Sequence, residues 1–304
     1  MNQQVIVNRF AAAALSAMMI MGSVATQAQI STATITVSAP TATAPTAAAY
    51  CAGATTTAIA LTGSAGATFD VTGGTAIGLQ DQTGVTSIPS FTATNTTNAT
   101  ISQTITVTPK NGTCTGTPVT FTISVVPVPT VAATAPITAC NGIAVPTITF
   151  TGANNPTGTV YNWTATGDAV GFTGTTGTAS IAGFTAANLT TANKVATIAV
   201  AATYTNAGQT CTSTGTTGNF TITAYPKPNA TITPITPICA GAAAQVTYTA
   251  TAGTSPFSVV ITDGTTPATY NAVVNGATIS VGNPTATTTY GLTSITDANG
   301  CVNP

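Results

Sequence analysis

Six cysteines, Cys51, Cys114, Cys140, Cys211, Cys239 and Cys301, constrain this chain more than any other feature, because their spacing alternates. Gaps of 63, 71 and 62 positions are separated by gaps of only 26 and 28. An even number of regularly spaced cysteines in an exported chain favours disulfides over metal or redox chemistry. The long gaps define three modules, bracketed by Cys51 and Cys114, by Cys140 and Cys211, and by Cys239 and Cys301. The first cysteine of each opens a similar tripeptide, Cys51-Ala52-Gly53, Cys140-Asn141-Gly142 or Cys239-Ala240-Gly241. The second follows a turn, Asn111-Gly112-Thr113, Ala207-Gly208-Gln209-Thr210 or Asn299-Gly300, which places it at a hairpin tip.

Internal identity extends beyond the cysteines. SIPSFTATN at Ser87 to Asn95 recurs as SIAGFTAAN at Ser180 to Asn188, and AIGL at Ala76 to Leu79 recurs as AVGF at Ala169 to Phe172, both offset by 93 residues. That period suits whole sandwich domains rather than the shorter units of solenoids or propellers. Runs of alternating character predict strands at Ile101 to Val107, Val119 to Val125, Val145 to Phe150, Val195 to Tyr204, Gln245 to Ala250, Phe257 to Ile261, Ala277 to Val281 and Thr288 to Ile295. Pro127-Val128-Pro129 and Pro226-Lys227-Pro228 end the first two modules and read as linkers. The expected fold class is all-β, a tandem of immunoglobulin-like β-sandwich domains.

Composition narrows the function. Only 3% of the residues are charged, against about 25% in an ordinary soluble domain. The acids are Asp70, Asp81, Asp168, Asp263 and Asp297; the bases are Arg9, Lys110, Lys194 and Lys227; there is no histidine. So few cations cannot neutralise a run of phosphates, which excludes nucleic acid as a partner. Hydrophobic residues at 43% are enough for a packed core. Threonine, about a quarter of the chain, is β-branched and carries a hydroxyl, so it suits a pleated strand with one wet face.

Residues 1–28 read as a secretory leader, with Arg9 in the n-region, an apolar run from Phe10 to Ala25 and small residues before Gln29. The run falls short of the ~20 residues that span a bilayer, so the mature chain is not expected to span a membrane. The expected division is a leader (1–28), a Pro/Thr/Ala-rich lead-in (29–49) and sandwich repeats at 50–128, 129–227 and 228–304. The third stops three residues after Cys301, without the strand that follows Cys114 and Cys211. Either the chain is a fragment, which is the preferred reading, or an open edge awaits a partner strand. The only donor in this chain would be the lead-in, Gln29 to Ala49, whose Pro40 and Pro45 limit it to a short strand around Ala33 to Ser38.

In a sandwich of this kind the turn between the last two strands sits at the pole where the chain enters. The expected pairing is therefore within modules, Cys51–Cys114, Cys140–Cys211 and Cys239–Cys301, although six cysteines allow 15 connectivities. Closing loops of this length would stabilise each module by about 4 kcal/mol in the chain-entropy model.

These residues resemble the PKD-like and immunoglobulin-like repeats of large secreted surface proteins of Bacteroidota. The first two modules resemble the PKD-like type through Ser87 to Asn95, the strand from Thr104 to Pro109 and the run from Phe121 to Pro129. Tyr161-Asn162-Trp163-Thr164 resembles the Tyr-x-Trp strand of that group, from which the first module departs with Phe69-Asp70-Val71-Thr72. The third module resembles a sister type through Ser255-Pro256-Phe257, Thr262 to Thr265 and Thr289 to Cys301. The resemblance covers nearly all of residues 45–304 and implies spacer or adhesive modules. It names no ligand.

Among candidate sites, Trp163 sits where a sandwich buries a large aromatic, so core is preferred to a sugar-stacking role. Tyr290 precedes a strand and is expected to make a tyrosine-corner-like hydrogen bond. Asp263-Gly264 and Asp297-Ala298-Asn299-Gly300 read as turns rather than parts of calcium loops, because calcium wants several carboxylates together. Without histidine or glutamate there is no usual general base or zinc cluster; no catalytic, cofactor or metal residue is assigned, and Asp168 is an isolated turn acid. Asn-x-Thr sequons such as Asn95-Thr96-Thr97 and Asn229-Ala230-Thr231 are expected by chance in so Thr-rich a chain. A flat threonine array for ice binding would need a short-period solenoid and ranks third. The expected function is a non-catalytic spacer segment of a secreted or cell-surface adhesin-type protein, with an unknown protein or glycan as partner. The alternative is a glycan- or protein-binding module, or the accessory repeats of a larger secreted enzyme; exposed aromatics clustered on one module would favour it.

Overall fold

The structure, a computed structural model, describes residues 38–153, 155–215 and 218–304. The expected leader and most of the candidate donor strand lie outside them. Three groups of buried side chains, drawn from successive stretches of chain, form three cores. No described helix is long and apolar enough to cross a membrane.

The first module is built on strands β1 (Ala48–Cys51), β2 (Thr68–Thr72), β3 (Gln82–Val85), β4 (Ile101–Asn111), β5 (Cys114–Thr115) and β6 (Val119–Val126). Its main sheet runs in the order β1-β6-β4-β2-β3, with β5 extending the β4 hairpin. Alternation explains the sheet: Ile105, Val107, Phe121 and Ile123 are buried inward, while Thr104 and Thr120 face water. Each buried branched or aromatic side chain contributes about 1.5–3 kcal/mol. The facing layer is made of short ladders, Ala42–Thr43 with Thr62–Gly63 and Ile59–Ala60 with Ser87–Ile88, and of Ile77 and Leu79.

The second module repeats this plan with β7 (Ile137–Cys140), β8 (Val160–Gly167), β9 (Thr176–Thr178), β10 (Lys194–Asn206), β11 (Gln209–Thr212) and β12 (Phe220–Tyr225), ordered β7-β12-β10-β8-β9. The two internal repeats have a structural reason. Gly78 and Gly171 have φ of 92° and 123°, and a Cβ on either would fall within 2.4 Å of a carbonyl oxygen, of Thr92 or Thr185. Asn95 and Asn188 make the same cage: the Nδ2 of Asn188 donates to the carbonyls of Ala192 (2.8 Å) and Ala224 (2.7 Å), and its Oδ1 accepts from Thr190 N and Oγ1. Asn95 does likewise with Ala99, Val125 and Thr97. Each clips its loop to the module's last long strand.

The third module contains β13 (Asn229–Ile235), β14 (Ala244–Ala252), β15 (Phe257–Thr262), β16 (Pro267–Val273), β17 (Thr278–Gly282), β18 (Gly291–Thr296) and β19 (Val302–Asn303). Its two sheets are β13-β14-β17 and β16-β15-β18-β19, an immunoglobulin-like sandwich with Tyr248, Phe257, Val259 and Ile261 inside. Here the first strand changes sheets. β1 and β7 lie parallel to the last long strand of their modules, whereas β13 runs antiparallel along β14. The strand after Cys301 pairs with β18 at Ile295 and Thr296.

Candidate functional site

The most distinctive chemistry lies where modules meet. The structure contains two disulfides, Cys51–Cys211 and Cys140–Cys301, with Cα separations of 5.6 and 5.4 Å; Cys114 and Cys239 are unpaired and exposed. None of the within-module pairs Cys51–Cys114, Cys140–Cys211 and Cys239–Cys301 forms. The correction has a geometric cause. In the first two modules the first cysteine ends its strand rather than beginning it, and that strand runs parallel to the last one: Cys51 stands opposite Val126, and Cys140 opposite Tyr225. Both therefore sit at the exit pole. Cys114 sits beyond the far end of the eight-residue β6, roughly 25 Å away at ~3.3 Å per residue, whereas a bridge needs Cα atoms within about 7 Å. The hairpin of the following module lies at its own entry pole, next to the exit pole it must meet.

At the first joint, the β10–β11 hairpin brings Cys211 opposite Tyr204 in the ladder, and Cys211 is fully buried with its Sγ 3.8 Å from the Val126 carbonyl oxygen. The Nε2 of Gln209 donates toward Cys51 Sγ at 3.5 Å. Pro127 and Pro129 of the linker are buried too. The second joint is alike. Cys301 is fully buried, Pro226 and Pro228 are buried, and the Nδ2 of Asn303 donates to the Pro228 carbonyl at 3.0 Å. Asp297 shapes the hairpin that carries Cys301. Its carboxylate accepts from the backbone N–H groups of Thr254, Asn299 and Cys301 at 2.9–3.0 Å while 5% exposed.

The first cysteine of each module is presented by one turn. In Cys51-Ala52-Gly53, Cys140-Asn141-Gly142 and Cys239-Ala240-Gly241 the glycine has φ of 80°, 89° and 79°, a left-handed conformation that favours glycine. In each, the N–H three residues after the cysteine donates to the cysteine carbonyl at 3.0–3.1 Å. The glycine N–H donates across the module, to Ala93, Ala186 or Pro284, at 2.7–2.8 Å.

Trp163 is 5% exposed in the second core, its Nε1 donates to the Ser180 carbonyl at 3.2 Å, and Phe172 meets it edge-on at 5.9 Å. Tyr290 packs half-buried against the third core, but its hydroxyl makes no hydrogen bond to the described residues, so the expected corner bond is absent. It sits at an open groove beside Tyr270 and Asp263. Every described aromatic side chain is buried or half-buried.

The acids are turn groups. Asp263 accepts from the N–H of Thr266, the hydroxyl of Thr265 and the N–H of Thr265, which together hold its carboxyl down at about 2. Asp70 is held below the usual range by a hydrogen bond from the paired Lys110 ammonium, then by Gly84 N–H. Asp168 accepts from Val195 N at 2.8 Å and closes a turn. Among the described residues no three acids, histidines or cysteines gather to hold a metal.

Sequence reasoning missed Asn95 and Asn188, although their recurrence in the repeated segment was the available signal. It also missed Tyr248, whose hydroxyl is buried in the third core without a partner and whose pKa burial pushes up to about 12.

No protein-family model matches the chain, and no curated protein does. Among solved structures it is similar to mouse Cadherin-23 EC22-24 (10% identity, TM-score 0.37, covering 86% of this chain and 94% of that one). It is also similar to human CDH23 EC21-23 (12%, 0.34, 81% and 91%) and to the chicken CNTN1 FN1-FN3 domains (11%, 0.29, 86% and 95%). At such identities and scores these likenesses carry nothing about activity or partner.

Proposed function

We propose that the chain is a non-catalytic spacer segment of a secreted or cell-surface adhesin-type protein, made of PKD-like and immunoglobulin-like repeats of the Bacteroidota surface-protein kind. In this reading residues 1–28 are removed on export, 29–49 lead in, and 50–128, 129–227 and 228–304 are the repeats. The observation that carries it is the disulfide across each joint. Tandem domains with small interfaces move relative to one another by default. Here a covalent bond, buried linker prolines and a buried hairpin sulfur restrain that motion at both joints, which is what a stalk requires and a catalytic or ligand-gated tandem does not. The disulfides also suit an oxidising, extracytoplasmic location. The half-buried state of the aromatics favours a spacer over a glycan platform.

Small-angle scattering of the oxidised and the reduced chain tests this. The expected oxidised form is a stiff rod about 100 Å or more long, from three sandwiches end to end with strands of ~3.3 Å per residue. Reduction is expected to broaden the distance distribution. Identical, flexible profiles in both states would contradict the spacer role.

A further inference from the structure

Residues 228–304 include no lysine, arginine or histidine, and their acids are Asp263 and Asp297. Asp297 is 5% exposed, with its carboxylate occupied by three backbone N–H groups. Asp263 is the exposed charge of the third module. It stands at an open groove of about 210 Å³, together with Tyr270 and Tyr290 and an apolar lining that includes Ile261 and Val281. We propose that this groove is a docking site for a lysine side chain of a partner protein, with the alkyl stem against the apolar lining and the ammonium at the Asp263 carboxylate.

The place of the groove in the fold leaves it open. Ile261 and Tyr270 come from β15 and β16, Val281 from β17, and Tyr290 from the segment that enters β18. β16 and β17 are edge strands of the two sheets, and β16 lies at the opposite edge of its sheet from β19. The volume narrows the class of occupant. Sites that enclose a drug-sized molecule measure about 300–1,000 Å³, so a groove of this size suits a single side chain.

The carboxylate is held in place before any ligand arrives. Its Oδ1 accepts from the Thr265 N–H at 2.9 Å, the Thr265 hydroxyl at 2.7 Å and the Thr266 N–H at 2.8 Å, which leaves Oδ2 to accept from a partner. The hydroxyls of Tyr270 and Tyr290 make no hydrogen bond to the described residues. An ammonium has three donors and no acceptor, which suits a carboxylate oxygen flanked by two phenol oxygens. Tyrosine rings attract a cation, and a lysine stem covers apolar surface while its head stays polar, so each part of the side chain has a counterpart. An anionic ligand would meet Asp263 with no cation of the module to offset it.

The test is a titration of the oxidised, isotope-labelled chain with Nα-acetyl-lysine amide, followed by the backbone amide resonances in NMR. Nα-acetyl-norleucine amide, which has the stem without the ammonium, is the neutral control, and calcium chloride is the metal control. The lysine amide is expected to give saturable shifts confined to Asp263 to Tyr270, Val281 and Tyr290, weakening as added salt screens the charge. The norleucine amide is expected to give none. Asp263→Asn retains an oxygen for the turn and should fold like the parent, yet bind the lysine amide roughly three- to tenfold more weakly. Unmoved groove resonances, equal shifts with the norleucine amide, unchanged affinity in Asp263→Asn, shifts spread equally to Asp81 and Asp168, or a response to calcium alone would overturn the proposal. This inference stands apart from the spacer reading, which the scattering of oxidised and reduced chains tests whatever the titration gives.

Discussion

The second and third modules are both β-sandwiches but unequally secured. The second is tied at both poles, through Cys211 to the module before it and through Cys140 to the one after. Its first strand lies in the main sheet, its tryptophan N–H is satisfied, and buried Asn188 uses both its amide nitrogen and its oxygen. The third is tied once, its first strand lies on the opposite sheet, β18 is bare from Gly291 to Ser294 on one side, and its largest buried residue, Tyr248, hides an unpaired hydroxyl. Nearly the same Thr-rich, charge-poor composition thus yields a clamped middle and a looser end. With ion pairs almost unavailable, covalent ties and buried amide networks separate the two.

The largest effect is expected from the ties themselves. Replacing Cys140 and Cys301 together by serine frees the third module, and a closed loop of 161 residues corresponds to about 5 kcal/mol in the chain-entropy model. Denaturant unfolding should then show a separate, earlier transition for the third module. A single unchanged transition would break the comparison.

Next comes Asn188→Ala, expected to cost about 2–4 kcal/mol, because two buried carbonyls and the Thr190 N–H lose their partners at once. Asn95→Ala should cost less, since Asn95 is only half-buried. Equal losses at the two sites, read from chemical denaturation midpoints, would show that burial does not set the scale here.

The third module should also be the one sensitive to alkali. The folded state holds the Tyr248 proton up to about pH 12, whereas an unfolded tyrosine releases it near 10, so stability falls as pH rises between those values. The loss is about 2–3 kcal/mol on the shift alone. Tyr248→Phe should remove this contribution and raise stability at neutral pH by about 1 kcal/mol, by deleting a buried hydroxyl without a partner. A destabilised Phe variant would mean that the hydroxyl is satisfied in solution.

The smallest change is expected between about pH 5 and 8, where no histidine is present to titrate. Below about pH 4 stability should fall, because Asp70 and Asp263 are held below their usual range when folded and bind protons more readily when unfolded. A melting temperature that moves steeply across the neutral window would contradict this.

Much of the fold was legible because it rests on side-chain alternation, which period-2 reading captures: Ile105 and Val107, or Phe121 and Ile123, are inward where the pattern puts them. The cysteine spacing marked the repeat. What it did not carry was the direction of the first strand relative to the last. Parallel pairing of Ala48–Cys51 with Ile123 to Val126 leaves no trace in periodicity, yet it moves Cys51 from the entry pole to the exit pole and changes every disulfide partner. The sheet change of β13 was hidden for the same reason. Asn188 was visible as the last letter of a repeated segment, but its cage closes on Ala224, 36 residues later, a contact that only the packed sheet provides.

The most direct measurement is disulfide mapping of the oxidised chain by non-reducing peptic digestion and mass spectrometry, since a chain with so few lysines and arginines offers trypsin little. Peptides joining Cys51 to Cys211 and Cys140 to Cys301 are predicted. Peptides joining Cys51 to Cys114 and Cys140 to Cys211 would return each bridge to its own module and leave the joints without their clamps.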